Sequence, residues 1–294
     1  MRPARLGLGD LLAEDIRADA RLGRMEAPDQ RHSLAWGTKH RLETMGGMAA
    51  LGVRALVALV RPPFVWRRQF VLQCIFILRV SLIPIVVSIA AWGFSGPGLQ
   101  AGNFLVTLGS IDRSGGFMVV AIIREFGTFV TATILAGIVG TTITAELGNR
   151  KIREELDALR VLALDPISYL VAPRVLALVV MMIVLDLFAF VAGVFGGYVA
   201  DVGVLGGTTG GFLQNFFANT TAIDLFGSVV KVGIFGFLIG VICCYKGLTA
   251  SGGPEGVGRA VNQAVVGCLL AIFLVNLVYT QYFLAAYPQV SVLR

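Results

Sequence analysis

The chain has 294 residues, of which 56% are apolar or aromatic (AVILMFWYC) and only 14% are Asp, Glu, Lys or Arg, with a mean hydropathy of +0.80. Soluble domains carry roughly 25% charged residues, so this composition excludes a free-standing soluble domain. The net charge of +6 does not argue for nucleic acid, because the charges fall between apolar runs.

Residues 1–42 mix both charge signs and read as a cytoplasmic extension. Leu8, Leu11, Leu12 and Ile16 fit one weak amphipathic helix there, and disorder fits the same stretch equally well. Residues 1–30 hold no continuous apolar core of a secretion signal. From Glu43 to Val60 the chain turns apolar, with Arg54 its one basic residue, until Arg61-Pro62-Pro63 breaks it. A stretch this short suits a helix at the membrane interface (43–60) better than a further span. Trp66, Arg67 and Arg68 follow as a headgroup-level anchor.

Five runs are long enough to cross about 30 Å of hydrocarbon, which takes roughly 20 residues. They lie near 80–106, 115–143, 167–200, 225–245 and 261–287. Thirteen Lys and Arg precede the first run, while the first connection holds only Arg113. The second connection carries Arg150, Lys151, Arg153, Arg160 and Arg174, the third none, and the fourth Lys246 and Arg259. By the positive-inside rule this alternation predicts a multi-pass membrane protein with a cytoplasmic N-terminus and an external C-terminus.

Charged residues inside the runs are few: Arg124 and Glu125 in the second, Asp186 in the third and Lys231 in the fourth. A charge at such depth costs at least about 2.5–3.5 kcal/mol unless paired or hydrated. The expected pairs are Arg124–Asp186 and Glu125–Lys231, either as structural ties or as the wall of a translocation path. Thr128, Ala132, Ala136, Gly140, Thr144 and Gly148 are small at every fourth position. Such a stripe permits close helix contact, within the chain or with a partner.

Between the second and third runs the charge is dense. A helix at about 149–164 is predicted, because Ile152, Leu156 and Leu159 recur at i, i+4, i+7. Arg150–Glu154, Lys151–Glu155 and Arg153–Asp157 would be i, i+4 pairs, each contributing about 0.2–0.5 kcal/mol. Asp165-Pro166 then starts the next helix as cap and first residue. A solvated connector and a docking surface for a soluble partner both fit this block.

Cys74, Cys243, Cys244 and Cys268 lie in or near apolar runs without zinc-type spacing, and read as packing residues. His32 and His40 belong to no metal or nucleophile constellation. No G-x-x-x-x-G-K-[ST] loop and no H-E-x-x-H occurs, so no nucleotide, metal or other cofactor is expected in this chain and energy input needs a separate subunit.

Several runs together resemble the MlaE-type ABC permeases. They are Thr144-Ala145-Glu146-Leu147-Gly148, Arg153-Glu154-Glu155-Leu156-Asp157-Ala158-Leu159, Leu164-Asp165-Pro166 and Pro173-Arg174, with Arg124-Glu125-Phe126-Gly127 upstream. The likeness is closer to the YrbE branch, which works with Mce proteins. Phe70-Val71-Leu72-Gln73-Cys74 and Tyr245-Lys246-Gly247-Leu248-Thr249 resemble its A-type subunit. One departure is Ile138 after Ala136-Gly137, where many relatives carry a basic residue. The resemblance implies an all-α integral membrane permease domain (43–294) with an N-terminal interfacial helix, five transmembrane helices and a cytoplasmic coupling helix. It further implies a second YrbE-type subunit, a cytoplasmic ABC ATPase dimer, and Mce proteins delivering a fatty acid, sterol or phospholipid for import. Arg153, Glu154, Glu155, Asp157 and Leu159 would meet the ATPase, while Arg124, Glu125, Asp186 and Lys231 would line the path. The alternative is an ion-coupled secondary transporter using those same four charges as its relay.

Overall fold

The computed structural model describes residues 30–60, 66–162 and 164–288, with side chains from residue 43 onward. The chain divides into two units, Met1–Gly47 and Met48–Arg294, and the packing described below lies within the second. Residues 1–29, the Arg61-Pro62-Pro63 break and Arg294 lie outside the described residues; of the 1–42 extension only Gln30 onward is described, as helix.

The described residues contain helices and no strand. In chain order they are α1 (Gln30–Val60), α2 (Arg67–Thr107), α3 (Ile111–Ile152), α4 (Glu155–Val161), α5 (Ile167–Gly203), α6 (Thr209–Asn219), α7 (Ala222–Leu248) and α8 (Gly253–Ala286). By length and composition α2, α3, α5, α7, α8 and the Glu43–Val60 part of α1 could each cross a membrane, the α1 part being the least apolar.

Two helices overrun the spans expected from hydropathy. α2 has 41 residues and α3 has 42, about 60 Å each at 1.5 Å per residue, twice the hydrocarbon thickness. The first span therefore begins within a helix that starts at Arg67, and Arg79 is an exposed residue inside that helix. Its long apolar stem can lie along the helix while the guanidinium reaches the interface.

α5 is central. It packs along α2 on one side and α7 on the other, with α3 crossing it and α8 set against α7 and α3. In their most apolar stretches, half or more of α3, α5 and α7 is buried, against 17% of α2 and α8. The outer pair therefore leaves apolar side chains uncovered by the rest of the chain, as at Ile83, Val87, Leu274 and Val278.

In lipid there is little hydrophobic gain between helices, so close backbone approach supplies the contact energy. α2 meets α5 at Gly93 and Gly193, where a methyl on Gly93 would fall 2.2 Å from the Gly193 carbonyl oxygen. The small-residue stripe of α3 is used in the same way. Thr128, Ala132, Ala136 and Thr144 are buried, and a methyl on Gly140 would lie 2.8 Å from Cys243 Sγ of α7. Of the two readings the sequence left open for this stripe, contact within the chain is the one formed. The connection after α5 holds its own helix: α6 buries Phe212 and Phe216, and Asn215 Oδ1 accepts the Gly116 N–H of α3 at 2.8 Å.

Candidate functional site

Two charged regions stand apart in the chain, one inside the apolar helices and one in the connection between α3 and α5. The first forms around a π-helical turn, Val119–Phe126, inside α3. Such turns bond i to i+5 and often mark functional positions; here the Gly127 N–H reaches back to the Ile122 carbonyl. The turn carries Arg124 and Glu125 and directs them to different neighbours.

Arg124 Nε donates to Asp224 Oδ1 at 2.8 Å, and Nη2 approaches Oδ2 at 3.4 Å. The expected Arg124–Asp186 pair is not the one formed. Asp224 is held in advance: at the third position of α7 its Oδ2 accepts the Thr221 N–H at 3.0 Å and the Thr221 hydroxyl at 2.7 Å, completing a capping box. Asp186, on α5, instead accepts the Ser228 hydroxyl at 2.9 Å.

Glu125 and Lys231 do come together, Nζ to Oε2 at 3.4 Å. Lys231 also donates to the Arg124 carbonyl at 2.8 Å and to Thr280 Oγ1 at 3.3 Å, so its three N–H groups meet three acceptors. Glu125 accepts from Thr280 Oγ1 at 2.7 Å and Asn276 Nδ2 at 3.0 Å. The Lys231 side chain is 2% exposed while that of Glu125 is 27% exposed, so the carboxylate faces open space. That space is a cavity of about 290 Å³ with a charged wall (Arg124, Glu125, Asp224, Lys231) and an apolar one (Val120, Phe283, Leu284). Its volume is at the lower end of ligand pockets. A smaller cavity of about 80 Å³ adjoins Asp186 and shares Ser228 with it.

Asp224, Asn276 and Thr280 are the members that sequence reading missed. Thr221-x-x-Asp224 is a legible cap pattern, and Asn276 and Thr280 stand at i, i+4 inside an apolar span, where polar residues are uncommon.

The second region is the turn between α3 and α5, and it corrects the single helix expected at 149–164. α3 runs on to Ile152, and Glu154 then adopts a left-handed conformation (φ 59°) before α4 starts at Glu155. The anticipated i, i+4 pairs give way to others. Arg150 bonds back to Glu146 at 3.0 Å, lies 3.8 Å from Glu155, and Arg160 pairs with Asp157 at 2.7 Å. Burial of Leu156 (4% exposed) while Ile152 stays 38% exposed explains the break, since one continuous helix would keep both on one face. Arg153, Glu154 and Asp157 are exposed, Glu155 is half-buried, and Leu159 packs against the core. Val161 (87%) and Leu162 (69%) add exposed apolar surface.

Asp165 caps α5, accepting the Ser168 hydroxyl at 2.7 Å and the N–H groups of Ser168 and Ile167 at 3.1 and 3.3 Å. Partial burial opposes its charge, but these donors prevail and hold its carboxyl below the usual aspartate range.

A helical bundle that only had to persist in lipid would avoid charges at depth; one that holds them beside a cavity has the anatomy of a multi-pass membrane permease. The family model "Permease MlaE" matches residues 70–282, and the chain belongs to the MlaE permease family. A probable ABC transporter permease protein of Rickettsia bellii is 32% identical over 241 residues, covering 82% of this chain and 92% of the relative. A probable ABC transporter permease protein of Synechocystis is 36% identical over 60% of this chain and 68% of its own length. The chloroplastic protein trigalactosyldiacylglycerol 1 of Arabidopsis thaliana is 34% identical over 59% of this chain and 50% of its own. The chain is thus an ABC-type permease subunit, which implies an ATPase partner, and the ion-coupled alternative gains no support.

Proposed function

We propose that the chain passes a lipid across the plasma membrane, importing hydrophobic cargo handed over by Mce proteins outside and driven by a cytoplasmic ATPase dimer. A second YrbE-type subunit completes the permease. The observation that carries this reading is the cavity at Arg124, Glu125 and Lys231, whose apolar wall suits an acyl or ring system and whose charged wall suits a polar headgroup. The name of the Arabidopsis relative refers to a galactolipid, which favours a lipid as cargo. The ATPase docks at the turn through Arg153, Glu154, Glu155 and Asp157, while Leu159 holds α4 against the core. Charge flanked by exposed Val161 and Leu162 suits a protein partner, since apolar surface exposed outside lipid marks interaction sites.

In this arrangement the N-terminus is cytoplasmic, Glu43–Val60 lies in the interface and the C-terminus is external. A single cysteine introduced at Ser33 then labels with an impermeant reagent from the opposite side to one at Thr209. Labelling from the same side makes α1 a sixth span.

The functional test is purification of the complex followed by lipid analysis. ATPase, sister subunit and a bound lipid in stoichiometric amount are expected. An assembled complex without lipid, inert towards lipid vesicles, would sink the proposal.

A further inference from the structure

Arg174 is fully buried, the largest side chain so enclosed, and neither the cavity nor the proposed docking surface uses it. It stands on α5, two turns after Asp165. A buried guanidinium must be paired and hydrogen-bonded to be tolerated. Arg174 Nη1 donates to the Leu170 carbonyl at 2.8 Å, and Nη2 lies 2.7 Å from Glu146 Oε1 on α3.

That same Oε1 accepts Arg150 Nη2 at 3.0 Å. Two guanidinium groups, one sealed in the bundle and one a third exposed, therefore share a single carboxylate oxygen. Arg150 also faces Glu155, the first residue of α4, with Nη1 3.8 Å from Oε2. Charge thus runs without interruption from the interior of α5, through α3, to the exposed turn. The left-handed Glu154 lies between α3 and α4, so α4 joins α3 through the two-residue turn Arg153-Glu154 rather than a continuous helix.

We propose that Glu146 and Arg174 are positioning residues that carry movement of α4 into α3 and α5. Arg150 has two carboxylates within reach. When α4 shifts about the Glu154 joint, Glu155 draws Arg150 away and Glu146 turns wholly to Arg174, altering the contact between α3 and α5. An ion pair serving stability alone needs only its buried members. This inference rests on the reading of the turn as the ATPase contact.

The test uses the whole complex, with its ATPase, in lipid vesicles, and reads lipid moved per ATP hydrolysed. Glu146→Gln keeps the shape but weakens both guanidinium contacts, and should lower that ratio about tenfold, within the usual range of coupling between sites. Glu146→Asp, which keeps the charge, should recover part of the loss. A wild-type ratio in an assembled Glu146→Gln complex overturns the proposal. If that variant does not assemble, Arg150→Gln, at a partly exposed position, decides in its place: a lowered ratio supports the linkage and a wild-type ratio refutes it. Charge reversal at Glu154 and Glu155 serves as the control. If the reversal uncouples while Glu146→Gln does not, the docking reading stands and only the linkage falls. If the reversal leaves transport normal, the docking reading itself has failed.

Discussion

The two charged regions have similar residues and opposite physics. Around Arg124, Glu125, Asp224 and Lys231 each charge is met at a defined distance by residues from other helices, and the Asp224 and Lys231 side chains are almost wholly buried. In the turn up to Arg160, apart from the contact of Glu146 with buried Arg174, the pairs are local, two of the four are longer than 3.5 Å, and their members are at least a third exposed. Exposed pairs contribute about 0–1 kcal/mol, whereas removing one partner of a buried pair costs about 3–5 kcal/mol. Charge in the first region is thus tied to the integrity of the bundle; in the second it is free to be spent on contact with another protein.

The largest expected effect is at Lys231. Lys231→Met empties three hydrogen-bond positions and leaves Glu125 beside a methyl group, so a loss of about 3–5 kcal/mol is expected. It should be seen as a sharp fall in melting temperature of the detergent-purified protein. Wild-type melting would mean that the buried cluster is no stiffer than the turn, and the contrast between the regions would vanish.

Charge reversal of Glu154 and Glu155 to Lys should change stability by no more than about 1 kcal/mol yet separate ATP hydrolysis from transport. A large drop in melting temperature would show that the turn is structural after all.

The contrast also explains what the sequence could convey. Apolar runs of about 20 residues place the helices because lipid allows no other fully satisfied backbone. They misplace the ends of α2 and α3, since a helix continues past hydrocarbon at no penalty. The break at Glu154 was invisible: Ile152, Leu156 and Leu159 have helical spacing, and a left-handed glutamate leaves no trace in composition. The Glu125–Lys231 contact was legible from the scarcity of charge in the spans. Arg124–Asp224 was not, because it depends on a π-helical turn that aims Arg124, and the cap pattern at Thr221-x-x-Asp224 marks a helix start without naming the partner of its carboxylate.

A smaller effect follows from that break. Glu154→Gly should stabilise the protein by up to about 1 kcal/mol, because glycine enters the left-handed region without the Cβ clash. A lower melting temperature would show that the glutamate side chain holds the turn in a way its exposure does not suggest.

The smallest effect concerns pH. The Asp165 carboxyl is depressed in the folded protein, so its charge stabilises above the unfolded value near pH 4 and that contribution is lost as pH falls through the lower folded value. Asp165→Asn keeps a capping side chain and removes the charge. The wild type should be more stable by about 0.3–1 kcal/mol at neutral pH, seen as a higher melting temperature, with the difference closing below about pH 4. A difference that persists in acid would contradict a charge-based cap.

Glu125 links the two regimes, being anchored by buried donors yet open to the cavity. Glu125→Gln can still accept from Thr280 and keeps the shape of the wall while removing its charge. The decisive measurement is ATP-dependent lipid transfer by the assembled complex carrying this variant. The account predicts an assembled complex, melting lower because buried Lys231 loses its opposite charge, with transfer reduced at least about tenfold; wild-type transfer in an assembled complex would remove the cavity charge from the mechanism.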